Sequence, residues 1–234
     1  MKTVLVGVGQ AGGKVTTALA AHDDAMGFRA VRDALAVNSA TADLQGLALD
    51  TVLVGQDRVN GHGVCGDNQL GAEVMQADAR EVVDVPVYAI GILPGGDEGA
   101  LYQVNAGRSL KTLSREADSV VLVDNDAWRT TGDSVEEGMT AINERIAERI
   151  GLLLAAGEPV EQGSTFGFGG GAERDTAQSV VDTSEVINTL RSGGLASVGY
   201  AASQASDDPD ENVNVVTSTT RQALLTGTSL PEVS

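Results

Sequence analysis

The sequence predicts an α/β fold: a Rossmann-like, doubly wound and mostly parallel sheet with a long central helix. Three observations predict it. Short β-branched apolar runs alternate with longer amphipathic stretches, the order that builds parallel sheets covered on both faces. The first run passes through a glycine-rich turn into a helical stretch, as strand-to-helix turns of such folds do. Ser134 to Ala156 carries no proline and reads as one long helix.

Taken in order, Thr3 to Val6 is a buried strand and residues 10 to 26 a helix. Ala34 to Val37 and Thr51 to Val54 are short strands. Asp67 to Val83 spaces Leu70, Val74 and Met75 helically, with acids on the other side. Pro86 to Leu93 is a strand stopped by Pro94 and Gly95. Glu98 to Ala117 is helical, Ser119 to Val123 a strand, and Ser134 to Ala156 the long helix. Gly157 to Gly171 is loop-like, with four glycines around two phenylalanines, and Ser203 to Asn212 reads as a polar acidic turn. Both read as surface insertions rather than linkers.

Composition narrows the function classes. Fifteen Lys and Arg stand against 33 Asp and Glu, a net charge of −18. Such a surface repels nucleic acid and anionic membranes. Lysine is rare and aromatics are 3% of residues. That composition favours a protein dissolved in molar salt, where charges are screened over roughly 3 Å, above an ordinary acidic protein. The one cysteine, Cys65, excludes an internal disulfide and a cysteine zinc site. No signal peptide and no transmembrane segment are read, so the expected location is cytoplasmic.

Gly7, Gly9 and Gly12 spell G-x-G-x-x-G between a strand and a helix, a pattern that brings phosphates to backbone amides at a helix N-terminus. Any tight strand-to-helix turn also selects glycines. A dinucleotide-binding reading needs an acid at the end of the second strand. Here that strand ends in Asn38-Ser39-Ala40, with no carboxylate until Asp43, which weakens an NAD(P)-dependent oxidoreductase without removing it.

The words GVGQAGGKV, AVNSATADLQGL, GHGVCGDNQLGAE, LPGGDEG, VDNDAW and VVDTSEVINTL run in that order from Met1 to about Tyr200. They resemble the nucleotide domain of the tubulin/FtsZ superfamily, in the wording of the CetZ group of salt-loving archaea. The resemblance implies a GTP- and GDP-binding cytoskeletal protein that hydrolyses GTP on head-to-tail self-association, or co-assembles with tubulin-like relatives, and controls cell shape. It implies that Gly9, Gln10, Ala11, Gly12, Gly13 and Lys14 cradle phosphates through closely approaching backbone N–H groups; Lys14 reads equally as a solvated first-turn lysine. Asn38 and Asp43 resemble the second nucleotide loop. Gly63 lies in a third, facing the terminal phosphate, where His62 and Cys65 read as loop residues. Glu98 matches a ribose-binding glutamate, though a helix N-terminus favours a carboxylate anyway. Asn125 matches the asparagine that reads the guanine edge, for which an amide offers donors and an acceptor. Asn143 matches a second guanine contact. Asp182 and Glu185, spaced to share one face of a helical turn, match the catalytic acid pair that reaches the next subunit's nucleotide and positions water against a phosphoryl group carried by Mg²⁺. No protein ligand set for a metal is read.

Two departures stand out. The family's GGGTGSG loop, with the strand before it and the helix after it, is missing: Asp84 joins Val85 directly, a loss of about one βα unit. The resemblance also implies a second α/β domain, of which this sequence is expected to carry only a truncated start. The organisation expected is a nucleotide domain over 1–202, with a deletion at 84/85 and a loop insertion at 157–178, then an acidic loop and the truncated start of a C-terminal domain over 203–234. A non-catalytic degenerate paralogue that interacts with filaments of full-length relatives is the alternative reading.

Overall fold

A computed structural model of the chain describes residues 1–54, 86–127, 135–155, 182–204 and 209–225. Strand β1 (Thr3–Val8) leads into α1 (Gly9–Met26), then β2 (Val31–Asn38), a short α2 (Thr41–Leu44) and β3 (Asp50–Leu53). After residue 85 come β4 (Tyr88–Leu93), α3 (Ala100–Glu116), β5 (Ser119–Asp124) and a 3₁₀ turn over Asn125–Ala127. The long helix α4 (Val135–Ala155), α5 (Thr183–Arg191), a two-residue β6 (Leu195–Ala196) and α6 (Pro209–Leu225) complete it. The proposed helix over 67–83, the 84/85 junction, and the loops 157–171 and 157–178 lie outside the described residues.

Among the described residues every strand pairing is parallel, yet the strands form two three-stranded sheets, ordered β1-β2-β3 and β4-β5-β6. One core joins them. Val15 and Leu19 of α1 meet Ile142, Ile146, Ala147 and Ile150 of α4 and Val121 and Val123 of β5, with Leu5 of β1 and Ile90 and Ile92 of β4 against them. Burying such side chains contributes roughly 1.5–3 kcal/mol each. Gly91, between those two isoleucines, turns the other way: a Cβ there would lie 3.2 Å from Leu122 and reach Leu113 of α3. The alternation of Ile90, Gly91 and Ile92 therefore puts helices on both faces, the doubly wound arrangement.

The two sheets also point the same way. Met139, near the start of α4, meets the residue that follows β5, while Gly151 near its end packs on His22 near the end of α1. Helices α1 and α4 thus run side by side in one direction, and the C-terminal ends of β1 and β5 lie at the same pole. Within the described residues β1 and β4 each pair with a single strand. Sequence reading expected one sheet; the break falls between these two edges.

Other differences are local. The first helix begins at Gly9, whose φ of +74° starts the turn without a Cβ penalty. The last four residues of the expected acidic turn, Pro209 to Asn212, are instead the first turn of α6. Proline fits that turn because its missing N–H would be unpaired there anyway. Asp23 closes the α1–β2 connection: its buried carboxylate accepts from the Ala30 N–H at 3.0 Å and the Val31 N–H at 3.1 Å. No described helix is long and apolar enough to cross a membrane.

Candidate functional site

The site is built at the C-terminal ends of the parallel strands, where open α/β sheets bind ligands. The glycine turn from β1 to α1 is compact. A Cβ on Gly7 would stand 2.6 Å from the Gly12 carbonyl oxygen and 2.7 Å from Thr16 Oγ1. One on Gly13 would lie 3.1 Å from Leu47. Helix α1 opens with no side-chain cap on its first N–H groups. Gly9 and Gly13 are buried, while Gln10, Ala11 and Lys14 are exposed and Gly12 lies between. The exposed residues thus border a helix N-terminus with donors to spare, which favours an anion.

Asn38, at the end of β2, is buried and serves its own loop. Its Oδ1 accepts from the Ala40 N–H at 3.1 Å, and its Nδ2 donates to Asp43 Oδ2 at 3.3 Å. That asparagine therefore shapes the second loop. Gly63 lies outside the described residues, as do His62 and Cys65.

On the second sheet the loop after β4 is tied down by its own side chains. Glu98 Oε1 accepts from the Gly95 N–H at 2.8 Å, and Gln103 Nε2 donates to the Gly95 and Pro94 carbonyls at 2.8 and 3.2 Å. Asp126 Oδ2 accepts from the Gly96 N–H at 2.6 Å, stitching this loop to the end of β5. Between them sits Asn125, 6% exposed. Its Nδ2 donates to Glu98 Oε1 at 3.4 Å and to Met139 Sδ at 3.8 Å. Asn143 is half-buried one helical turn beyond Met139, on the same face of α4. Glu98 and Asn125, singled out from separate motifs, are thereby joined at one spot, and Asn143 follows one turn along the helix that carries Met139. Beside it a cleft of about 340 Å³ is lined by Leu93, Pro94, Gln103, Gly107, Asp124 and Asp126, among others.

Met139 and Asp126 were missed as site residues. Asp126 sits inside VDNDAW but carried no assigned role, and the four-residue spacing from Met139 to Asn143 was the available signal for the other.

Asp182 and Glu185 lie elsewhere. Asp182 is the N-cap of α5: its Oδ1 accepts from the Ser184 N–H at 2.9 Å, and that bond holds its pKa below the ordinary carboxylate value. Glu185 occupies the third helical position, and both acids are exposed. Helix α5 docks at the N-terminal ends of the strands: the Tyr88 hydroxyl at the start of β4 donates to the Ile187 carbonyl at 3.3 Å. The helix then leads through Gly193 and Gly194, both with positive φ, to the β6 pairing with the first half of β5. The acid pair's helix is thus anchored at the pole opposite Glu98 and Asn125. Among the described residues, no three His, Cys, Asp or Glu side chains gather to hold a metal.

Comparison with known proteins adds to this geometry. The family model for the C-terminal domain of tubulin-like CetZ proteins matches residues 132–234. Tubulin-like protein CetZ2 of Haloferax volcanii is 56% identical over 274 residues, covering 100% of this chain and 72% of the relative. Since this chain has 234 residues, about forty positions of that 274-residue alignment have no counterpart in it. Two solved structures superpose closely. A GTPγS-bound protofilament of CetZ2 from Haloferax volcanii has a TM-score of 0.80 at 55% identity, over 99% of this chain and 75% of that one. A GDP-bound monomer of CetZ1 from the same organism has a TM-score of 0.77 at 37% identity, over 97% of this chain and 75% of that one.

Proposed function

The chain belongs to the tubulin-like CetZ family, and from that premise we propose that it binds guanine nucleotide and associates head to tail into filaments. The observation that supports this reading is the meeting of Glu98, Asn125 and Met139, one helical turn before Asn143, at the pole of the strand ends that also carry the glycine turn. Glycine-turn amides hold phosphate, Glu98 takes ribose hydroxyls, and the two asparagines read the base. Titrating GTP and NAD into the chain at molar KCl tests it. A dissociation constant for GTP below about 1 mM is expected. No GTP binding in that range refutes the reading, and a preference for NAD returns it to the oxidoreductases.

Hydrolysis is proposed to need two subunits. Asp182 and Glu185 belong to a helix anchored at the pole away from the nucleotide residues, so a head-to-tail neighbour brings acids of one subunit to the nucleotide of another. There they orient water against the terminal phosphoryl group, whose charge Mg²⁺ would offset. Control of cell shape from the cytoplasm follows for such a filament. Cells of unchanged shape after deletion of the gene would refute that role.

A specific observation favours a second reading, a non-hydrolysing partner of full-length relatives. The break between β1 and β4, the direct Asp84–Val85 junction and the forty unmatched positions agree with a lost unit of one strand, its phosphate loop and a helix. A strand between β1 and β4 would join the half-sheets into one. Inserting the corresponding residues of the Haloferax relative at 84/85 tests this. Tighter GTP binding and new hydrolysis are expected of the repaired chain, and an unchanged affinity refutes the proposed loss.

A further inference from the structure

Asn125 is nine-tenths buried, and its two amide atoms are treated unequally. Both recorded bonds of the side chain use Nδ2, to Glu98 Oε1 at 3.4 Å and Met139 Sδ at 3.8 Å. A carboxylate and a thioether are acceptors, so the nitrogen and not the oxygen of the amide must face them. Glu98 is itself held by the Gly95 N–H. The amide oxygen accepts from no described residue, so it is left available to accept from a ligand.

We propose that Glu98 and Met139 are positioning residues that lock the Asn125 amide with its oxygen turned to the ligand, so that Asn125 recognises the base as an acceptor only. The inference rests on the guanine-nucleotide reading above and deepens it. A free asparagine can present either end of its amide; a locked one selects a base edge that offers N–H donors. Guanine offers N1–H and its exocyclic amino group. Hypoxanthine lacks the amino group, and xanthine carries an acceptor oxygen in its place. Glu98 so gains a second task beside the ribose, and base selection depends on a carboxylate that need not touch the base.

The experiment has two readouts on the whole chain at molar KCl. In the nucleotide-free protein, solvent exchange of the Asn125 side-chain amide protons is followed by NMR. Slow exchange is expected in the wild type, with exchange about tenfold faster in Glu98→Ala and a smaller rise in Met139→Leu, as loss of one hydrogen bond would give. Equal exchange in wild type and Glu98→Ala overturns the lock. The second readout is the ratio of inosine diphosphate to guanosine diphosphate dissociation constants. Glu98→Gln, whose amide can donate to a flipped Asn125, is expected to lower that ratio from about ten towards one. A lost ribose contact weakens both nucleotides alike and leaves the ratio unmoved, so weaker binding at constant ratio also overturns the lock. If the wild type binds neither nucleotide, the function reading falls and the exchange readout alone judges the lock.

Discussion

Substituting Gly7 by alanine should damage the candidate site more than any other single methyl group. The added Cβ would lie 2.6 Å from the Gly12 carbonyl oxygen and 2.8 Å from its carbon, as well as 2.7 Å from Thr16 Oγ1. Ordinary contact begins near 3.4 Å, so the overlap is close to 0.8 Å. Thr16 is a side chain that can turn away; the Gly12 carbonyl belongs to the first turns of α1 and cannot. Gly7 is not among the residues with positive φ, so the effect is steric and not a matter of backbone freedom. Overpacking of this kind costs typically 1–3 kcal/mol. Because the two Gly12 contacts are to backbone, about 3 kcal/mol is expected, a large share of the 5–15 kcal/mol of a whole domain. Guanidinium denaturation followed by circular dichroism at molar KCl measures it, with GTP titration on the folded fraction. Gly107→Ala is the control: it sits exposed inside α3 with nothing within 4 Å of its Cβ position, and should stabilise by roughly 0.5–1 kcal/mol. A Gly7→Ala midpoint equal to wild type, with normal GTP affinity, would refute the claim that α1 is clamped on this turn.

Three further outcomes are expected. Asp23→Ala leaves the Ala30 and Val31 N–H groups without their acceptor, and about 2–4 kcal/mol should be lost in the same denaturation series. Asp182→Asn keeps an N-cap acceptor and should preserve α5 while stopping hydrolysis in the repaired chain; Asp182→Ala should weaken α5 as well, and Glu185→Ala should stop hydrolysis with nucleotide affinity intact. Lost affinity in the Glu185 variant would mark that residue as structural. Because the Ser184 N–H lowers the Asp182 pKa, its folded value lies below the unfolded one, so the cap is fully present above the unfolded pKa and lost as pH falls through the folded value. Acid unfolding of Asp182→Asn should lack that contribution.

The elements and their order were legible because each strand and helix carries its own period. Ile90 and Ile92 flanking Gly91, or Val121 and Val123 in β5, record burial in the local sequence itself. The break between the sheets was not readable that way, since a strand's neighbours depend on chain that is distant or absent. Glu98 and Asn125 were readable as motif residues. Their mutual hydrogen bond was not, because it joins a loop after β4 to a turn after β5. Asp182 was read for its chemistry, and its second role as N-cap also lay in the letters: an acid followed three residues later by Glu185 marks a helix start.

The edges of β1 and β4 that no described strand covers also bear on how long the folded protein lasts. Val4 and Val6 are 63% and 43% exposed on β1, and neither edge carries the lysines or prolines that usually discourage strand-to-strand contact. At low salt the −18 charge keeps molecules apart. In molar salt that repulsion reaches only roughly 3 Å, so two edges can collide nearly unhindered. Loss of monomer on storage should therefore be second order in protein concentration and faster at higher KCl, the reverse of what an acidic surface alone would bring. Filling the gap between the two edges should turn that decay into a slow first-order one.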